Sequence, residues 1–256
     1  MKNILLKSFA VLAAGFMLGS CEENAIDNFS QPVNSGAFIK FAHAAPEAPA
    51  VNFYLDNSKI SALAPNNSGE EQGLGYESGS IFPASYGYSN VEAGSRTLQA
   101  ITTATEGNAV VASTSVSLEQ GSYYTSFLIG APDAYETLFI KDELPAENYS
   151  QSHIRFVNLV QNAPASYDAE VVLKATSETP ETRISLGNDV AYKGNTAYVA
   201  MGAQGSYEVV FNTVDGDGEE VTVKSTSFSP TAGRVYTIIL RGDFDDATGA
   251  VLYRDR

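Results

Sequence analysis

Residues 39–57 read IKFAHAAPEAPAVNFYLDN. The stretch holds His43, one of two histidines in the chain, with Glu47 four residues on and Asp56 near its end. It could open a catalytic or metal-binding constellation, or a repeated structural unit. An echo further along decides between them. Ile39-Lys40-Phe41-Ala42-His43 matches Ile154-Arg155-Phe156-Val157-Asn158, and Ala48-Pro49-Ala50 matches Ala163-Pro164-Ala165. After a short insertion, Phe53-Tyr54-Leu55 matches Val171-Val172-Leu173. The apolar positions, the basic residue and Ala-Pro-Ala recur, whereas the histidine and the aspartate do not. What repeats is a scaffold of strand, proline-stiffened loop and strand.

The correspondence continues in order. Tyr76 pairs with Tyr192, and Ala93-Gly94-Ser95 with Gln204-Gly205-Ser206. STSVSLEQGSYYTSFLIG (113–130) pairs with STSFSPTAGRVYTIILRG (225–242), and Leu138-Phe139-Ile140-Lys141-Asp142 with Val251-Leu252-Tyr253-Arg254-Asp255. The expected organisation is a first repeat over 37–142, a linker over 143–151 containing Pro145, and a second repeat over 152–256.

Each repeat reads as strands. Apolar and polar residues alternate in Thr97–Ile101 and Tyr207–Phe211, and turn residues recur about every ten positions. Asp215-Gly216-Asp217-Gly218 fits a hairpin turn, where glycine takes a positive φ. Gly121-x-x-Tyr124 and Gly233-x-x-Tyr236 fit tyrosine corners, in which the hydroxyl returns to the backbone. The expected fold is all-β: two tandem immunoglobulin-like antiparallel β-sandwich domains of seven or eight strands each, behind an N-terminal signal peptide and a flexible tether.

Met1–Cys21 reads MKNILLKSFAVLAAGFMLGSC. Lys2 and Lys7 give a positive start, and Phe9–Leu18 is an apolar run too short to span a bilayer. The run closes on Leu18-Gly19-Ser20-Cys21, which resembles a bacterial lipoprotein signal, cleaved before a cysteine whose thiol is then alkylated by a lipid donor. The expectation is a signal peptide over 1–20 and a lipidated Cys21 opening a tether over 21–36. Cys21 is the sole cysteine, so no intramolecular disulfide forms. Several acyl chains anchor stably, since each buried CH₂ contributes about 0.8 kcal/mol. Glu22-Glu23 resembles the export tags of surface-exposed lipoproteins in Bacteroidetes-type bacteria. The expected place is the outer membrane, exposed at the cell surface or otherwise facing the periplasm.

The phrase F-x-H-A-A-P-E-A-P-A-V-N-F-Y-L-D, the Gly-Ser strand, the Gly-x-x-Tyr-Thr strand and the closing [KR]-D resemble a bacterial domain-of-unknown-function family of secreted and lipid-anchored proteins. Its members open with a phrase like RFVHASPDAPAVDVYVD and often carry tandem copies. The resemblance spans nearly all of 37–256. It implies architecture and address, and no activity.

Charge and composition narrow the function. The formal net charge is −15, and loss of Lys2 and Lys7 with the leader makes the remainder more negative still. Such a surface repels phosphate backbones and anionic lipid, so nucleic acid is not an expected partner and membrane contact is assigned to the lipid. His153 aligns with Phe38 and not with His43, so the repeats share no histidine site. His43, at a strand end before Pro46 and Pro49, is suited to tying the loop backbone. Asp215/Asp217/Glu219 and Asp243/Asp245/Asp246 carry hard oxygen ligands, yet neither matches an EF-hand register, and turn chemistry accounts for both. No G-x-S-x-G, Walker-type or G-x-G-x-x-G pattern occurs. Tyr86 and Tyr88 would share one face of a strand and could stack a sugar ring. No catalytic residue, metal or cofactor is expected. The expected function is a non-catalytic, lipid-anchored envelope protein that binds or scaffolds an extracellular protein or glycan. A glycan-binding accessory lipoprotein of a polysaccharide uptake system comes second, and a hydrolase third.

Overall fold

The computed structural model describes residues 36–256, apart from 78–79, 85–86, 176–179, 216 and 245–247. The leader, Cys21 and all of the expected 21–36 tether except Gly36 lie outside the described residues.

The first repeat contributes β1 (Ala37–His43), β2 (Val51–Leu55), β3 (Ser58–Lys59), β4 (Ile81–Phe82), β5 (Ser89–Val91), β6 (Gly94–Thr102), β7 (Val110–Leu118), β8 (Tyr123–Ile129) and β9 (Glu136–Lys141). The second contributes β10 (Gln151–Gln161), β11 (Tyr167–Leu173), β12 (Thr182–Val190), β13 (Val199–Gly202), β14 (Tyr207–Val214), β15 (Glu220–Phe228), β16 (Val235–Asp243) and β17 (Gly249–Arg254). The one described helical turn is the 3₁₀ segment Ala104–Glu106.

Four sheets result. Their orders are β4-β1-β8-β9, with β5 also on β1; β3-β2-β6-β7; β13-β10-β16-β17; and β12-β11-β14-β15. Pairing is antiparallel except at one place in each repeat, where the first strand runs parallel to the penultimate one: Ile39 opposite Tyr124 in β1/β8, and Ile154 opposite Tyr236 in β10/β16. A parallel neighbour needs a long crossover, and here the rest of each repeat supplies it.

Side-chain alternation then sets the layers. Ile39 and Phe41 of β1 point into a first core with Phe53, Leu98 and Tyr124. Ile154 and Phe156 of β10 point into a second core with Tyr167, Val209 and Phe211. The opposite faces of the same strands are not wet. Ala42, Phe127, Ile129 and Ile140 of the first repeat meet Val157, Leu159, Ile239 and Tyr253 of the second in a third core. Strands β1, β8, β10 and β16 are therefore buried on both faces, which is why they read as nearly unbroken apolar runs. Residues from Ser35 to Arg256 form one compact unit. The repeats lie side by side, sheet on sheet, and the order of layers is outer sheet, inner sheet, inner sheet, outer sheet.

The contacts across this joint fix its orientation. Lys40, midway along β1, meets Asp255 just past β17, and Arg155 of β10 meets Asp142 just past β9. At the other end, Arg241 of β16 donates to the His43 carbonyl (2.6 Å) and Gln161 of β10 donates to the Gly130 carbonyl (3.0 Å). Equivalent ends therefore lie together. The Ala-Pro loops after β1 and β10 share one end, and Gly36 and Arg256 share the other.

Candidate functional site

The most distinctive chemistry lies in the joint. Lys40 Nζ donates to Asp255 Oδ1 at 3.0 Å and to the Arg254 carbonyl at 2.9 Å. Arg155 Nη2 donates to Asp142 Oδ1 at 2.5 Å. Each carboxylate also accepts two hydroxyls from its own repeat. Thr125 (2.6 Å) and Tyr88 (3.0 Å) donate to Asp142 Oδ2; Thr237 (2.5 Å) and Tyr198 (3.1 Å) donate to Asp255 Oδ2. Lys40 stands 4.5 Å over the Tyr88 ring and Arg155 4.8 Å over the Tyr198 ring. The cation, carboxylate, threonine and tyrosine each recur in the repeat-mate, so the cluster is a pseudo-two-fold exchange of ion pairs between the repeats. All four charged residues are at most 3% exposed.

Buried charges survive only when paired and hydrogen-bonded. Burial pushes the Asp142 carboxyl above its ordinary range, with Arg155 opposing and Asp255 adding to the rise. Burial works against the Arg155 charge, but Asp142, Tyr198 and Asp255 outweigh it and hold the guanidinium protonated. The Tyr88 hydroxyl is pushed far up, first by burial and then by Asp255 and Asp142; Tyr198 is raised first by burial and then by Asp255. Two cations face two anions, all with partners, so the cluster is suited to registering two sheets rather than to moving protons.

The residues singled out in the sequence fall as follows. Cys21 and Tyr86 lie outside the described residues. Tyr88 does not stand in an open sugar platform. Its hydroxyl is bound to Asp142, its face lies under Lys40, and Tyr123 packs at 76° with centroids 5.0 Å apart. The cause is the buried charge pair, which draws in the nearest aromatic donor. His43 is fully buried, with Nε2 3.0 Å from the Pro49 carbonyl. Burial holds its pKa down at about 4, with Arg241 adding to the fall against the Pro49 contact. It is thus a neutral imidazole donating to the Ala-Pro loop. At the equivalent position of the second repeat Asn158 makes other bonds, donating to the Val190 carbonyl at the end of β12 (2.9 Å) and accepting from the Val160 N–H (3.1 Å).

The Asp215 carboxylate accepts the backbone N–H of Asp217 (2.9 Å) and Glu219 (3.0 Å), which is turn chemistry. Asp245 and Asp246 lie outside the described residues. Among the described residues, no group of three or more His, Cys, Asp or Glu side chains is placed to hold a metal ion, and no helix is long and apolar enough to cross a membrane.

Beside the cluster runs a groove of about 580 Å³ between β9 and the segment 193–198. Its lining includes Leu138, Ile140, Arg155, Lys193, Asn195 and Tyr198. The charge exchange and this groove are the features that reading the sequence missed. The signal was present: Lys40 and Arg155 are the single charges inside matching apolar runs, and Asp142 and Asp255 close both repeats. The equivalence of Tyr88 with Tyr198 escaped because the segments before them differ in length.

A family model described as a domain of unknown function (DUF4397) matches residues 37–166, half of the chain. No curated protein matches the chain. Among solved structures, it is similar to the family CBM26 module CBMbc of Amy13K from Eubacterium rectale, solved with maltoheptaose, at 10% identity over 86% of this chain and 97% of that one, with a TM-score of 0.27. Candidate cell-adhesion proteins from Bacteroides uniformis (10% identity, 86% and 97% covered, TM-score 0.28) and Bacteroides ovatus (10%, 88% and 99%, TM-score 0.28) are similar to the same degree. Likeness at that level carries nothing about ligand or role.

Proposed function

We propose that the chain, which belongs to the DUF4397 family, is a non-catalytic, lipid-anchored envelope protein that binds or scaffolds a partner outside the cytoplasm. The observation that carries the non-catalytic reading is the burial and mutual pairing of the charged groups in the joint. Lys40 is paired with Asp255 and Arg155 with Asp142 across the repeats, and His43 Nε2 is bonded to the Pro49 carbonyl. A general acid or base needs an accessible group with a free proton path, and a buried, fully paired carboxylate offers none. The pair of sandwiches carries the Ala-Pro loops at one end and Gly36 at the other.

The anchor reading is supported by the leader: Lys2 and Lys7, the apolar run, and a lone cysteine behind Leu-Gly-Ser. Outer-membrane residence, at the surface or facing the periplasm, follows from that signal and from Glu22-Glu23. Fractionation of cells carrying Cys21→Ala tests it. The variant is expected in the soluble extracytoplasmic fraction while the wild type pellets with membrane. A variant that still pellets would end the lipoprotein reading. Turnover on a hydrolase panel, abolished by one carboxylate substitution, would end the non-catalytic one.

A further inference from the structure

The pseudo-two-fold relation shows what each half does differently. Strands β9 and β17 are equivalent edge strands, each paired on one side only. The Asp142 N–H bonds the Tyr123 carbonyl, and the Asp255 N–H bonds the Val235 carbonyl. By antiparallel alternation the backbone groups of Phe139 and Lys141, like those of Leu252 and Arg254, then point away from the sheet.

In the second half this edge is engaged, because the Arg254 carbonyl accepts Lys40 Nζ at 2.9 Å. In the first half it is not. Among the described residues Arg155 donates hydrogen bonds to Asp142 and Thr237 and none to the β9 backbone, and the outward groups of Phe139 and Lys141 have no hydrogen-bond partner. The neighbouring segment differs as well. Ile81 lies opposite Ala42 and packs on the third core, whereas its counterpart Asn195, opposite Val157, is small and polar. The exchange of Ile81-Phe82 for Asn195-Thr196 leaves the groove beside β9 open.

The groove has a chemical preference. Arg155 is 2% exposed, yet it lines the groove, and its Nη1 has no acceptor among the described residues. Lys141 and Lys193 stand at the same groove, tied to Glu119 and Glu136, and Glu143 also lines it. Three cations thus stand around an uncovered strand edge and two apolar side chains, Leu138 and Ile140, each cation already paired with a carboxylate, and Arg155 alone among them is buried with a guanidinium nitrogen left over.

We propose that the groove beside β9 accepts an extended peptide strand of a partner protein, hydrogen-bonded to the outward edge of β9, with a carboxylate placed on Arg155. An edge strand supplies affinity through the main chain, and alternate side chains supply specificity. A carboxylate suits a guanidinium nitrogen that still has a proton to donate. Four lining residues of β9, at about 3.3 Å each, fit a segment of about four or five residues. The assignment names the ligand class for the binding role proposed above and rests on that role.

The test is an amide NMR titration of the full mature chain carrying Cys21→Ala. The probe is acetyl-Val-Asp-Val-Thr-Val-Asp-amide, with an Asn-for-Asp analogue as control. Saturable shifts are expected at Phe139 and Lys141, with the analogue bound at least about five-fold more weakly because the charge-assisted bond is lost. Lys193→Glu, at a half-buried position, should weaken binding about as much. Asn195→Ile, which copies Ile81 at an exposed position and leaves the Thr196 hydroxyl on the Phe156 N–H, should abolish the shifts with the melting temperature unchanged.

Absent shifts, shifts elsewhere, or undiminished binding to the filled groove would overturn the proposal. So would trigalacturonate shifting these amides where the peptide does not, which would pass the groove to an acidic glycan. Cross-linking on intact cells separates the two levels. A partner captured equally by wild type and the filled-groove variant would remove the groove and leave the binding role standing. No captured partner would remove both.

Discussion

His43 and Asn158 occupy equivalent positions with different chemistries, and pH tells them apart. The imidazole is neutral in the fold because burial lowers its pKa to about 4, while in the unfolded chain it titrates near 6.5. Between those values the unfolded state binds the proton and the folded state does not. Stability contributed this way is fully present above pH 6.5 and is lost as pH falls toward 4, by about 3 kcal/mol. His43→Asn, which copies the second repeat, should cost about 1–2 kcal/mol at pH 7.5 through imperfect packing, and should remove that slope. Urea midpoints at pH 7.5 and 4.5 check it; parallel pH profiles for the two proteins would contradict it. Asp142, with its carboxyl pushed upward, contributes a slope of opposite sign, but it is common to both proteins and cancels in the comparison.

The ion pairs obey a different rule at the same scale. Lys40→Met leaves the Asp255 carboxylate buried with its hydroxyl donors alone, and should cost about 3–5 kcal/mol. Lys40→Met with Asp255→Leu removes both charges and should recover most of that loss, because desolvation of the pair offsets much of its attraction. Denaturant titration of the two variants decides. A double variant no better than the single would make the pair a net source of stability rather than a device for register.

Among elements, the tyrosine corners were the most legible, because everything that makes them is local. The Tyr124 hydroxyl accepts the Glu119 N–H and the Tyr236 hydroxyl accepts the Thr231 N–H, both at 3.0 Å. Gly121 and Gly233 make the turns at φ near 76° and 77°. Tyr124→Phe and Tyr236→Phe should each cost about 1–2 kcal/mol by orphaning a backbone donor. Gly121→Ala should cost about as much from its positive φ alone, since a Cβ there meets nothing within 4 Å. Gly233→Ala should cost more, because its Cβ would stand 3.0 Å from Tyr149 Cδ1. Thermal melts give the order.

The inner strands were less legible for a physical reason. A period of two marks a strand with one wet face, as in β6 and β14. When both faces are buried, as in β1 and β16, the pattern collapses to a run, and nothing in the run says that its second face meets another repeat. The joint was hidden for the same reason: Lys40 and Arg155 read as matching letters of two units, and only the fold shows each bonded to the other unit's terminal aspartate.

At the scale of the whole molecule, the repeat pattern invites a picture of two independent beads, and the third core contradicts it. Cutting at the linker would bare Phe127, Ile129 and Ile140 on one half and Val157, Leu159 and Ile239 on the other. It would also strip Asp142 and Arg155 of each other. An apolar face of that kind does not stay exposed in a soluble monomer, and an unpaired buried charge costs several kcal/mol. The intact chain should therefore unfold in a single cooperative transition, with circular dichroism and tyrosine fluorescence coincident in urea. Residues 37–142 expressed alone should self-associate through the bared face, since a pseudo-two-fold joint with Lys40 and Asp142 equivalent to Arg155 and Asp255 can be imitated by two copies of one half. Mixing with residues 143–256 should dissolve those assemblies into a one-to-one complex, because only that pairing seats Arg241 on the His43 carbonyl and Gln161 on the Gly130 carbonyl. Sedimentation velocity of the halves, apart and mixed, separates the pictures: two stable monomers that ignore each other would restore the beads and make the joint an incidental contact.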